Sequence, residues 1–276
     1  MEQPFRDRRD AFLRKILRRS AVMGILNVTP DSFFDGGQFQ TIEAATAQAR
    51  KLVADGCDIV DIGGESSRPG ATPVSAADEL ARIETIVAQV APALDVALSV
   101  DTSKARVAAR ALELGAVAVN DVWGLQQDAA MAGVVAAADA IVVIMHNRAQ
   151  KDETLDIVTD IRRFFDRSLA LAAKAGIARE RIILDPGIGF AKTSRQNRDT
   201  LARLRELKDY GLPIMVGVSR KSFLGSLTAG HPEASLTGTV AANLAAAAQG
   251  ARIFRVHDVA EHVAALKVFQ AITHAP

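Results

Sequence analysis

The chain has 276 residues, 49% hydrophobic and 24% charged, the mix of a globular protein with a large core. Its net charge of +1 argues against a nucleic-acid polyanion or a membrane surface as partner. The single cysteine, Cys57, excludes an intramolecular disulfide and a cysteine-based zinc cluster.

Residues 1–20 crowd Arg6, Arg8, Arg9, Arg14, Lys15, Arg18 and Arg19 among Phe5, Phe12, Leu13, Ile16 and Leu17. The pattern predicts a basic amphipathic helix, set apart as an N-terminal extension. A helix covering the floor of the fold accounts for it better than a membrane-surface helix, because the rest of the chain shows no membrane adaptation. No apolar run is long enough to cross a bilayer, and no signal-peptide pattern is present, so the cytoplasm is the expected compartment.

From residue 21 onward one pattern repeats. Short apolar runs at 21–26, 59–62, 96–100, 116–119, 140–145, 182–184, 213–218 and 252–256 read as strands. Helical stretches alternate with them, capped by Ser75 and by Thr102 or Ser103, and stopped by Gly56 and Gly115. Residues 197–208 and 236–249 read as helices in the same way. The strands lack polar alternation, the signature of parallel strands buried on both faces. Eight strand–helix units over 21–276 predict a single-domain (β/α)8 TIM barrel. A doubly wound sheet is the runner-up, but no Gly-x-Gly-x-x-Gly opens the first crossover.

Barrels of this kind carry their chemistry at the C-terminal ends of the strands. Here those ends present Asn27, Gly63-Gly64-Glu65, Asp101, Asn120-Asp121, His146-Asn147, Asp185, Ser219-Arg220-Lys221 and Arg255-Val256-His257, and the strand starts carry no comparable set. Asp101, Asn120 and Asp185 combine two carboxylates with an amide, which suits a flat heterocycle with several N–H groups. The rival readings make Asp101 a helix cap, or the two acids a metal site, which lacks a clustered histidine. Arg255 and His257 stand two apart, so their side chains share a face and can converge on a polyanion such as a diphosphate. Lys221 and Ser222 could extend that anion site. His146 reads as a ligand group, a base or a satisfied wall residue, and a lone strand-end histidine is most often the last. The long loops at 27–40 and 63–74 mix Gly, Pro, acids and aromatics, and read as lids.

These stretches together resemble the dihydropteroate synthase family over residues 22 to 270. The matches are residues 23–33 (MGILNVTPDSF), 61–70 (DIGGESSRPG), 100–102, 120–124 (NDVWG), 185–190 (DPGIGF), Ser219-Arg220-Lys221 and Arg255-Val256-His257-Asp258. The resemblance implies condensation of 4-aminobenzoate with 6-hydroxymethyl-7,8-dihydropterin diphosphate, giving 7,8-dihydropteroate and diphosphate, with Mg2+ held near Asn27. It implies that Asp101, Asn120, Asp185, Lys221, Met145 and Arg255 bind the pterin. It places the diphosphate against Asn27, Arg68, Arg255 and His257, and the aminobenzoate near Phe33, Ser67, Pro69, Phe190 and Ser222. The implied catalytic set is Asp101, Lys221, Arg255 and His257, and the family is commonly a homodimer. Ser67, Phe34, Ala191 and Gln196 depart from the usual Thr, Ser, Gly and His. The alternatives are a non-catalytic pterin-binding paralogue and a methyltetrahydrofolate-dependent methyltransferase, which would not need Arg255-x-His257 or both lids.

Overall fold

The structure, a computed structural model, describes residues 1–28, 38–65, 72–228 and 234–273. Among these, eight strands follow in chain order: β1 (Ala21–Asn27), β2 (Ile59–Gly63), β3 (Ala97–Asp101), β4 (Ala118–Asp121), β5 (Ile141–Met145), β6 (Ile182–Asp185), β7 (Met215–Val216) and β8 (Ile253–Val256). All pairings are parallel, in the order β6-β5-β4-β3-β2-β1-β8-β7. A bridge between Leu184 and Ile214 joins the two free edges, and the Leu184 amide donates to the Pro213 carbonyl at 2.9 Å. The cylinder is thereby closed, and the expected (β/α)8 barrel is the fold.

The helices are α1 (Gln3–Arg18), α2 (Gln38–Ala54), α3 (Ala76–Ala93), α4 (Ala105–Glu113), α5 (Met131–Ala137), α6 (Ile157–Ala175), α7 (Ser194–Ala202), α8 (Ser222–Leu227), α9 (Ala234–Ala248) and α10 (Val259–Thr273). Alternating strand side chains divide the core in two. Val60, Ile62, Leu98 and Val142 point outward and pack with Ile83, Val87 and their neighbours in a shell under the helices. Met23, Ile59, Ala97, Ile141, Val143, Ile183, Met215 and Ile253 fill the lumen, where Phe12 and Ile16 of α1 join them. The apolar stripe of α1 therefore plugs the barrel floor. Its basic residues serve the rim: Arg9, buried, donates to the Asp139 carbonyl at 2.6 Å, and Lys15 pairs with Asp58.

Local chemistry sets the element ends. Ser75 caps α3, its hydroxyl accepting from the Asp78 amide at 3.1 Å. The cap of α4 differs from the sequence expectation. Thr102 accepts only from Lys104, at 3.2 Å, whereas the Ala105 amide donates to the Asp128 carboxylate at 2.8 Å. A cap supplied 23 residues downstream leaves no mark in local spacing. The helix expected at 197 starts at Ser194 because Thr193 and Gln196 form a reciprocal capping box. The seventh strand is two residues long rather than six: Pro213 has no N–H for the ladder, and Arg220 turns at φ +57°. No described helix is long and apolar enough to cross a membrane.

Candidate active site

Sheet register builds the site. Asn27 of β1 lies beside Gly63 of β2, Gly63 beside Asp101 of β3, and Asp101 beside Asn120 of β4. One rung at the C-terminal mouth thus carries an amide, a carboxylate and a second amide. Met145 and Asp185 pair on the next two strands. The backbone of Arg255 starts lower, opposite Met23, and its long side chain climbs the lumen to the rung.

The Arg255 guanidinium forks between two acids. Its Nε donates to Asp61 at 2.6 Å and one terminal nitrogen to Asp101 at 2.7 Å. The Asn120 amide donates to the same Asp61 oxygen at 3.0 Å. Asp101 is therefore a ligand of Arg255 and not the cap of α4. Burial pushes Asp101 up to about 7, with Arg255 pulling the other way. Burial also works to lower Arg255, but Asp61 and Asp101 outweigh it and hold it above its ordinary value. The other Asp61 oxygen, the Asn120 carbonyl and the Ser99 hydroxyl are buried without a hydrogen-bond partner. Orphaned buried acceptors suit a ligand that brings N–H groups.

Across the mouth, Asp185 is buried and raised by that burial, while the Gly187 amide donates to it at 2.7 Å. Lys221 donates to the Ile188 carbonyl, and its ammonium lies 4.5 Å from the centre of the Phe190 ring. Burial lowers Lys221 to about 8, with Asp185 raising it, Arg255 lowering it and Asp101 raising it. One end of the barrel thus carries three buried acids, Asp61, Asp101 and Asp185, with the Asn120 amide and two cations.

The remaining expected residues scatter more. His257 lies one residue beyond β8 and its Nδ1 is 2.9 Å from the Ser219 hydroxyl, so it and Arg255 have different partners here. Met145 is buried at the end of β5, Phe190 and Asn27 are half-buried, and Ser222 is exposed. Phe33, Phe34, Ser67, Arg68 and Pro69 lie outside the described residues. Of the three readings of His146 the satisfied wall residue fits, since it is fully buried between Asp160 and Lys192. Sequence reading passed over Asp61 as a ligand. Its signal was a charged residue in the middle of the apolar run 59–62, which a buried strand holds only against a partner.

A family model described as pterin binding enzyme matches residues 23–257. The chain belongs to the pterin-binding enzyme family. A dihydropteroate synthase from Synechocystis is 44% identical, over 92% of this chain and 91% of the relative. A probable bifunctional folylpolyglutamate synthase/dihydropteroate synthase from Halobacterium salinarum is 48% identical over 92% of this chain, which spans only 31% of that longer protein. Among solved structures, a dihydropteroate synthase from Clostridium difficile with pteroic acid superposes with a TM-score of 0.89 at 45% identity, over 92% of this chain and 97% of the other. The Xanthomonas albilineans enzyme with 4-aminobenzoic acid matches at a TM-score of 0.89 and 43% identity, over 94% and 95%.

Proposed function

We propose that this mouth is where the chain, a transferase of folate synthesis with dihydropteroate synthase activity, joins 4-aminobenzoate to a dihydropterin carrying a methyl diphosphate. What carries the reading is the geometry of the mouth: Arg255 bridges Asp61 and Asp101, Asn120 donates to the same Asp61 oxygen, and the other Asp61 oxygen and the Asn120 carbonyl are buried without a partner.

Asp101, Asn120 and Asp185 accept hydrogen bonds from the amino and ring N–H edge of the pterin, and Lys221 donates to its ring oxygen. Met145 forms the apolar wall behind the ring, and Arg255 lies over its face. The diphosphate takes Arg255, His257, Arg68 and Asn27. In the reaction the bond from the exocyclic carbon to the diphosphate oxygen breaks, and the oxygen keeps the electron pair. Cations aimed at that oxygen stabilise the charge as it develops. The carboxylates of Asp101 and Asp185 favour the electron-poor carbon left behind. The aminobenzoate nitrogen then bonds to that carbon and releases its proton. Phe190 and Ser222, with Phe33, Ser67 and Pro69, border the aminobenzoate.

Mg2+ fits this donor set. It favours oxygen ligands and is commonly held by one or two protein groups plus substrate phosphates and water. The Asn27 amide oxygen at the end of β1 is such a group, and no cluster of three His, Cys, Asp or Glu among the described residues competes for the ion. Bound there, the ion would draw charge from the leaving diphosphate.

The chain also fits a homodimer. Val268 and Ile272, four residues apart on α10, are 60% and 72% exposed, an apolar strip on the last helix. Diphosphate release on mixing the two substrates tests the activity. No release, with pterin still bound in calorimetry, would instead identify a pterin-binding paralogue.

A further inference from the structure

The loop after β6, residues 187–191, turns through three left-handed residues: Gly187 at φ +66°, Gly189 at +83° and Ala191 at +41°. Glycine takes this region freely, but Ala191 does so at a cost and persists there only when its surroundings hold it. Two holds are conventional: the Asn197 side chain accepts from the Gly189 amide at 2.7 Å, and Arg148 donates to the Ala191 carbonyl at 2.6 Å. The third is a buried relay that the proposed chemistry does not use. Lys192 Nζ lies 2.7 Å from the Gly187 carbonyl, 3.3 Å from the Phe190 carbonyl and 2.8 Å from His146 Nδ1. His146 Nε2 lies 3.0 Å from Asp160.

The protons in this relay can be assigned. The His146 bond holds Asp160 below the usual carboxylate range, so Asp160 is ionised and can only accept. His146 must therefore carry its proton on Nε2. That leaves Nδ1 as an acceptor, and Lys192 donates to it. Three acceptors thus surround Nζ. Burial and Arg148 pull Lys192 well down, opposed by Asp185 and Asp160, with Lys221 also lowering it.

The loop so held is the bed of Lys221. Its Ile188 carbonyl accepts from Lys221, and its Phe190 ring lies beneath the ammonium. Gly189 is pressed against the lysine stem, since a Cβ there would stand 2.7 Å from Lys221 Cδ. We propose that Lys192, backed by His146 and Asp160, is a positioning residue for pterin recognition: it fixes the 187–191 loop and through it the place of the Lys221 ammonium. The proposal rests on the assignment of Lys221 to the pterin.

The test is Lys192→Met, which keeps the length and apolar stem and removes the donor. Expected are a folded barrel by circular dichroism and a loss of pterin affinity of about tenfold in calorimetry. The alkaline limb of pterin binding should also move up by about one pH unit as Lys221 becomes solvated. A merely structural role would not move that limb. Where Lys192→Met does not fold, the pair His146→Asn and His146→Leu reads the same link. The asparagine oxygen can replace Nδ1 as acceptor and should retain affinity, and leucine should lose it. Unchanged affinity and an unmoved limb in folded Lys192→Met, or equal behaviour of the two His146 variants, overturns the proposal. Full pterin affinity in Lys221→Ala would instead overturn the pterin role of Lys221 itself.

Discussion

The two ends of the barrel solve opposite problems with the same lumen. At the floor, Phe12 and Ile16 of α1 complete an apolar plug with Met23, Ile59 and Ile253, and the charges stay on the rim in direct pairs such as Arg9 with Asp139. At the mouth, Asp61, Asp101, Asn120 and Asp185 are buried, and one Asp61 oxygen and the Asn120 carbonyl lack partners. Apolar burial at the floor stabilises the fold, whereas the mouth holds costly polar groups in place. The difference locates function by its thermodynamic cost: stability comes from one pole and is given up at the other.

The sharpest way to break this comparison is Arg255→Ala. It should lower turnover about a thousandfold, as expected for a cation aimed at the developing charge. It should also make stability depend on pH in a set direction. Asp101 already sits near 7, above its unfolded value, so the folded state binds the extra proton and stability falls as pH rises toward 7. Removing Arg255 raises Asp101 further, so the fall continues above pH 7. Chemical denaturation from pH 6 to 9 should show the deficit of the variant growing with pH. A deficit independent of pH would mean that Arg255 does not hold Asp101 ionised.

Phe12→Ala is the opposite probe. The side chain is buried in the floor plug, so its loss should cost about 3–5 kcal/mol in denaturant unfolding. The KM values should stay as they are, because the plug lies at the far pole from the rung. A raised KM would show that the two ends communicate.

How much of this was legible in the sequence follows from the same contrast. The strands, the closed barrel and the polar mouth were readable because apolar runs ending in Asn27, Asp101, Asn120 and Asp185 are local patterns. The role of α1 was readable as an amphipathic stripe. What stayed hidden depends on residues distant in the chain. Asp128 caps α4 from a later loop, Arg255 reaches Asp61 and Asp101 across 194 and 154 positions, and Lys192 meets His146 across 46. Spacing along the chain carries no trace of such pairings. Sequence reading placed Arg255 and His257 together on a shared strand face. It could not foresee that buried carboxylates would claim the arginine while Ser219 met the histidine.

Two smaller effects sharpen the picture of the mouth. Asp185→Asn keeps the shape and removes the charge that raises Lys221, so pterin affinity should fall between about ten- and a hundredfold, with kcat less affected. Equal losses in kcat and affinity would move Asp185 from binding into the chemical step. The last effect needs no mutation. Lys221 donates as an ammonium, and burial holds it at about 8. Below that value it is charged, and its own contribution to pterin binding is flat. Above it the ammonium loses its proton, and with it most of its attraction for the ring oxygen. Pterin affinity measured by calorimetry should therefore fall by about tenfold at most between pH 8 and 9. In Asp185→Asn the support of the carboxylate is gone, Lys221 drops lower, and the same decline should begin at a more acid pH. If the decline stays where it was, Lys221 and Asp185 do not share the cavity, and the mouth is two sites rather than one.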